Sequence, residues 1–129
     1  MLPSEHRLRR SADFGLAVQR GRRASRPLLT IHLLVPDPAM PDPRLTALDA
    51  GDVPVRAGLV VSKGVGGSVV RSRTARRLRH LLHGRIHALP RGALLVVRAA
   101  AGAGTASSAA LAIDLDGALA SAARPRKPR

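Results

Sequence analysis

Five arginines, Arg71, Arg73, Arg76, Arg77 and Arg79, fall within nine residues of this 129-residue chain. They lie in the stretch from Lys63 to His83, KGVGGSVVRSRTARRLRHLLH, which holds no acidic residue. A merely solvated helix face mixes Glu with Lys or Arg at i, i+4, so that the charges offset. Here like charges would repel, and an absent anion is the simpler account. A guanidinium donates two parallel hydrogen bonds to a phosphate, so the chemistry indicated is phosphate binding.

The other reactive side chains do not assemble into a catalytic set. The histidines stand at positions 6, 32, 80, 83 and 87, with no cysteine anywhere. His83 and His87 are at i, i+4, a possible metal pair. Without a carboxylate partner and among arginines, they read as a solvated edge of a nucleic-acid-binding helix. Four of the eight carboxylates, Asp37, Asp42, Asp49 and Asp52, share one proline-rich segment and match no calcium-loop spacing. Gly64-x-Gly66-Gly67 is a weak phosphate cradle, and its spacing fits neither the Walker nor the dinucleotide fingerprint. No catalytic or metal-ligating residue is assigned.

The elements that must position these side chains can be read from periodicity. Ser68 stands at an expected N-cap. Val70, Leu78, Leu81, Leu82 and Ile86 recur at helical spacing, and the helix is expected to run to about Leu89, before Pro90-Arg91-Gly92. Arg71 falls inside the apolar stripe at its start, where a long side chain can still reach out. The run from Arg56 to Ser62 is near-continuously apolar and is expected to be a central strand. Ala93 to Ala99 is another buried strand, and a strand–helix–strand of this length implies a parallel pair. Leu28 to Val35 alternates, with Leu29, Ile31, Leu33 and Val35 on one face and Leu28, Thr30, His32 and Leu34 on the other. His32 is either a satisfied core histidine or a ligand-facing one.

Ahead of this strand, Ser11 opens a short helix with Asp13 in its first turn and Phe14, Ala17 and Val18 on one face. Gly21 ends it, and residues 21–27 form a second basic patch. Residues 36–55 read as an exposed acidic loop. Ser107 or Ser108 caps a last helix with a stripe of Leu111, Leu115, Ala118, Leu119 and Ala122. One domain is expected over residues 1–123, opening with a basic arm (1–10), and a disordered basic tail (124–129) follows it.

The net charge of +14 calls for a polyanionic partner, nucleic acid before an acidic membrane surface. With one Phe and no Trp or Tyr, the core must be aliphatic. No apolar run approaches the roughly 20 residues of a membrane span. MLPSEHRLRRS lacks the apolar core of a secretory signal. The lack of cysteine fits a reducing cytosol, so a cytoplasmic location is expected. Arginine outnumbers lysine 20 to 2, as GC-rich codon usage would give, so some of these arginines carry no function of their own.

Two stretches carry a family resemblance. Arg71-Ser72-Arg73, followed by Ala75, Arg76, Arg77, Leu78 and Arg79, resembles the Arg-Asn-Arg helix of the protein subunit of bacterial ribonuclease P. Ser72 stands for the usual Asn, Ala75 for a usual basic residue and His80 for a frequent Glu or Gln. Arg7-Leu8-Arg9-Arg10-Ser11-Ala12-Asp13-Phe14 is similar to that family's opening. There the Phe lines a cleft for single-stranded RNA, and the family's second aromatic, one turn later, is Val18 here. Arg98, at a strand end, matches another basic position of the family.

The resemblance covers nearly the whole chain except the acidic loop and the tail. It implies an α/β fold, a two-layer α+β sandwich of the ribosomal-protein-S5-like kind. The implied order is α-β-β-(β)-α-β-α with a left-handed βαβ crossover. It implies a non-catalytic subunit that binds a catalytic RNA and the 5′ leader of precursor tRNA, with magnesium held by RNA and no obligatory protein partner. Lys63, Arg71, Ser72, Arg73, Arg76, Arg77 and Arg79 would then face the catalytic RNA. Phe14, Val18, His32, Arg9 and Arg10 would line the leader cleft. A small ribosomal protein and a self-sufficient nuclease are the alternatives. The first would lack the cleft, and the second would need the carboxylate cluster that the sequence does not offer.

Overall fold

The computed structural model describes residues 11–35, 55–90 and 92–123. The basic arm (with Arg9 and Arg10), the acidic segment 36–54 and the tail 124–129 lie outside the described residues. In chain order the elements are α1 (Ser11–Arg20), β1 (Arg22–Ser25), β2 (Leu29–Leu34), β3 (Arg56–Val60), α2 (Ser68–His83), β4 (Leu94–Ala99) and α3 (Ser108–Ala123). Short 3-10 turns precede α2 (Lys63–Val65), follow it (Ile86–Ala88) and precede α3 (Ala101–Gly104).

The four strands form one sheet in the order β1-β2-β4-β3. β1 and β2 pair antiparallel, as do β2 and β4, while β3 and β4 are the expected parallel pair, joined through α2. β3 was expected in the middle of the sheet from its apolar run. Among the described residues it is an edge strand instead. Ala57 and Leu59 face the main core, while Phe14 lies over Gly58 on the other face, so both faces are covered without a second neighbouring strand. The most buried strand is β4, where Leu94, Leu95, Val96 and Val97 are all 0% exposed.

Strand alternation divides the interior into two clusters. On one face Leu29, Ile31, Leu33, Leu95 and Val97 meet Leu78 and Leu82 of α2 and Leu111, Leu115, Ala118 and Ala122 of α3. This is the sandwich of sheet and helix pair, built without an aromatic residue. On the other face Leu94 and Val96 meet Leu16 and Ala17 of α1, with Phe14, Leu34 and Val60 at the margin. Leu16 thus joins the inner face of α1, and Val18, expected there, is 38% exposed. Val35, expected on the core face of β2, is also exposed, one residue beyond the strand. Val55 is buried in the main core rather than part of an exposed loop.

Local chemistry sets the ends of the helices. Ser107 caps α3, its Oγ accepting from the Ala110 N–H at 3.1 Å. At α2 the N-cap is Gly67; Ser68 is already helical and makes no capping bond, contrary to expectation. The α2 helix also ends sooner than expected, at His83. Gly84 and Arg85 turn the chain, and Ile86 reaches the core from a 3-10 turn. Thr74 completes the buried stripe of α2, its hydroxyl donating to the Val70 carbonyl at 2.8 Å, so that a polar residue is buried with its bond satisfied.

Candidate nucleic-acid interface

Two basic surfaces emerge, one on each side of the sheet. The first is the outer face of α2. Lys63, Ser68, Val69, Ser72, Arg73, Arg76 and His80 are exposed, while Arg71, Arg77 and Arg79 are half-buried. A groove of about 970 Å³ runs along this face, lined by Ser68, Val69, Ser72, Arg73, Arg76, Arg77, Arg79, His80, Leu81 and Ser108. Lys63 and Arg71 lie outside its lining. The first turn of α2 carries no acidic residue, so the positive end of the helix dipole adds to the field of the arginines.

The loops beneath this face are interlocked. A Cβ placed on Gly104 would stand 2.5 Å from the Val65 carbonyl and 2.9 Å from Val70 Cγ1. Only a residue without a side chain lets the turn before α3 close on the glycine loop and the start of α2.

The arginines divide by role. Arg77 donates to the Ala106 carbonyl at 3.0 Å, tying α2 to the segment that leads into α3. Arg71, expected to reach out from the apolar stripe, is half-buried and keeps its Nε buried and unpaired. Arg73 and Arg76 make no such tie among the described residues and present whole guanidinium forks outward. Arg77→Ala should therefore cost about 1 kcal/mol of stability, a melting-point fall of roughly 3–5 °C. Arg76→Ala should leave the melting point within about 1 °C, because exposed substitutions are close to neutral. Thermal melts of the two variants check this.

The second surface is the α1 side of the sheet. Cross-strand register places Arg23, His32, Val96 and Gly58 in one row and Ser25, Thr30, Arg98 and Val60 in the next. Helix α1 covers the first row in part, and Phe14, half-buried, lies against Gly58. Val18, exposed, follows one turn later on the same helix. The Ser25 and Thr30 hydroxyls are hydrogen-bonded to each other at 3.0 Å, and Arg98 is exposed beside them. Phe14 and His32 are thus brought to one face, as expected.

Arg23, Thr30 and Arg98 were not among the expected cleft residues. The signal for Arg98 was its parity with Val96. The signal for Arg23 required recognition of β1, a strand hidden in what reads as a basic patch. Alternation within β1 splits that patch. Arg23 faces the cleft, while Arg22 donates to the Ala122 carbonyl at 3.4 Å and Arg26, in the turn after β1, to the Gly117 carbonyl at 3.1 Å, both on α3.

His32 is 9% exposed and its Nδ1 has no hydrogen-bond partner. Burial above all, and then the charges of Arg23 and Arg98, hold its pKa below the ordinary 6.5. The imidazole is therefore neutral at pH 7. The unfolded chain takes up this proton more readily than the folded one. The stability His32 contributes is thus present above about pH 6.5 and is lost as pH falls through the lowered value. Melting points measured from pH 8 down to pH 5 should fall more steeply for the wild type than for His32→Gln.

The carboxylates of α3 serve structure. Asp114 accepts from the Leu28 N–H at 2.9 Å, and Asp116 pairs with Arg85 through both of its oxygens. This pair holds Asp116 below the usual carboxylate range, the Arg85 hydrogen bond being the main cause. Among the described residues, no three His, Asp or Glu side chains gather as a metal site. His83 and His87, expected on one helix at i, i+4, are separated by the end of α2.

The chain is similar to known proteins in both sequence and fold. The ribonuclease P family profile matches residues 2–123. The ribonuclease P protein component of Streptomyces griseus is 57% identical over 119 residues, covering 92% of this chain and 93% of its own. That of Salinispora tropica is 46% identical, covering 100% and 98%. Among solved structures, the Staphylococcus aureus RNase P protein superposes with a TM-score of 0.72 at 19% identity, covering 92% of this chain and 95% of its own. The Thermotoga maritima protein gives 0.64 at 18% identity, covering 86% and 92%. With the family profile spanning all the described elements and relatives above half identity over nearly full length, the chain belongs to the ribonuclease P protein family.

Proposed function

We propose that this chain is the non-catalytic protein subunit of a ribonuclease P. In this reading it binds the catalytic RNA through the outer face of α2. It holds the 5′ leader of precursor tRNA across the α1 side of the sheet, and it acts in the cytoplasm. The observation that carries the reading is the pair of basic surfaces on opposite sides of one sheet. One is an arginine helix with a groove along its outer face, suited to a folded RNA. The other is a sheet face with an aromatic ring and flanking arginines, suited to a single strand.

A resident magnesium does not fit the described side chains, because Asp114 and Asp116 are both engaged within the scaffold. Any magnesium belongs to the RNA. The protein's part is electrostatic and positional. A chain of net charge +14 between two RNAs lowers their mutual repulsion, and the α1 side of the sheet fixes the path of the leader. Membership of the ribonuclease P protein family does not favour the ribosomal-protein reading.

Capture of the tagged protein from its own cells, followed by sequencing of the RNA retained, tests the proposal. One catalytic RNA together with 5′-extended tRNA precursors is the expected yield. Ribosomal RNA as the dominant species would contradict it.

A further inference from the structure

Glycine 58 sits in the middle of β3, where a residue with no side chain weakens a strand. Its neighbourhood explains its presence. A Cβ built on Gly58 would stand 2.2 Å from Cζ, 2.5 Å from Cε1 and 3.1 Å from Cε2 of Phe14. The far end of the only aromatic ring in the protein therefore occupies the space that a side chain at position 58 would take. Val96 is the register partner of Gly58 and belongs to the buried cluster against which Phe14 and Val60 both pack. Gly58 is itself buried while Phe14 is half-buried, so the ring is seated at its tip and open elsewhere.

We infer that Gly58 is a positioning residue for the leader site: its bare backbone sets the depth of the Phe14 ring and so the height of the stacking platform. The inference rests on the leader-binding reading of the cleft and adds to it a determinant that never touches RNA. A methyl group at position 58 must lift the ring, because distances near 2.2 Å cannot be tolerated and the strand backbone is held by its pairing to β4. The ring can respond, because α1 is a single short helix on that face and Phe14 lies at its margin. A lifted ring changes the height at which its π-face meets the leader.

The test is a double-mutant cycle in the holoenzyme reconstituted with its RNA subunit. The readout is the ratio of affinities for precursor tRNA with a 5′ leader and for mature tRNA. Gly58→Ala should lower this ratio, up to the roughly 5- to 150-fold that a whole stacked base contributes. In a Phe14→Ala background the same change should alter the ratio by less than about twofold, because no ring is left to displace. The melting point of the double variant should lie above that expected from adding the two single effects, since the truncated side chain removes the clash. This arm also serves if Gly58→Ala alone folds poorly.

A Gly58→Ala holoenzyme with the wild-type ratio, where Phe14→Ala lowers it, would overturn the inference while leaving the cleft reading intact. Equal effects of Gly58→Ala in both backgrounds would overturn it too, since the glycine would then act without the ring. An unchanged ratio in Phe14→Ala itself would remove the cleft reading, and the inference with it.

Discussion

Replacing Arg73 and Arg76 together by alanine is expected to reduce the slope of log affinity against log salt, for binding to the catalytic RNA, by about 1.4–1.8. That is two lost phosphate contacts at roughly 0.7–0.9 each. Extrapolated from 1 M salt, where the counterion contribution vanishes, this corresponds to roughly 20-fold weaker binding at 0.15 M. These two residues are chosen because both are exposed on the groove face and neither is tied to the scaffold, whereas Arg77 is bonded to the Ala106 carbonyl. The melting point should be unaffected, because neither side chain contributes to the core. Titrations at four or more salt concentrations give the slope directly. An unchanged slope with intact folding would mean that this face is merely solvated.

Phe14→Ala is expected to weaken holoenzyme binding of leader-bearing precursor tRNA by about 5- to 150-fold, the contribution of one stacked base. The effect should lie toward the lower end, because Val18 offers no second ring. Mature tRNA should bind nearly as before, since it has no leader to stack, and so should the catalytic RNA, whose proposed site is on the opposite side of the sheet. A ring that served only as a core anchor would behave differently. Its truncation would cost roughly 3–5 kcal/mol of stability and weaken all three interactions together. The half-buried state of Phe14, at the edge of a small satellite cluster, argues against that anchor role. Phe14→Leu separates the two cases, because it keeps most of the apolar volume and removes the π-face. Wild-type leader affinity in the leucine variant would contradict stacking.

Much of this architecture was legible in the sequence because it rests on strong periodic signals. The arginine helix announces itself by a stripe of Leu78 and Leu82 against an all-basic face. The alternation of Leu29, Ile31 and Leu33 fixes the core side of β2, and so puts His32 on the other. What escaped was set by tertiary contacts. Strand β1 has four residues and one apolar side chain, Ala24, which is too little for a period, and its arginines are legible only once its pairing with β2 is known. The edge position of β3 was hidden because an apolar run looks the same whether its second face is covered by a strand-flanked core or by one phenylalanine. The early end of α2 at His83 escaped because Ile86 continues the helical spacing while reaching the core from a different turn. The structural tie made by Arg77 depends on a carbonyl 29 residues away, which no local pattern encodes.

The cleft divides in the same way. Phe14 and His32 could be named from the sequence, the one as the only aromatic ring and the other as a polar break in an apolar strand. Arg98 and Arg23 join them only through cross-strand register. Gly58 looks like an unremarked strand glycine until the ring above it is seen.

In the proposed function the protein assists a catalytic RNA and does no chemistry itself. The most direct measurement is cleavage of a 5′-labelled precursor tRNA at low magnesium, with the purified protein alone, the RNA subunit alone and the two combined. Product at the mature 5′ end is expected from the combination, little from the RNA alone until magnesium is raised, and none from the protein alone at any magnesium concentration. Cleavage by RNA-free protein that is lost when one of its own side chains is changed would contradict it, as would a combination no more active than the RNA by itself.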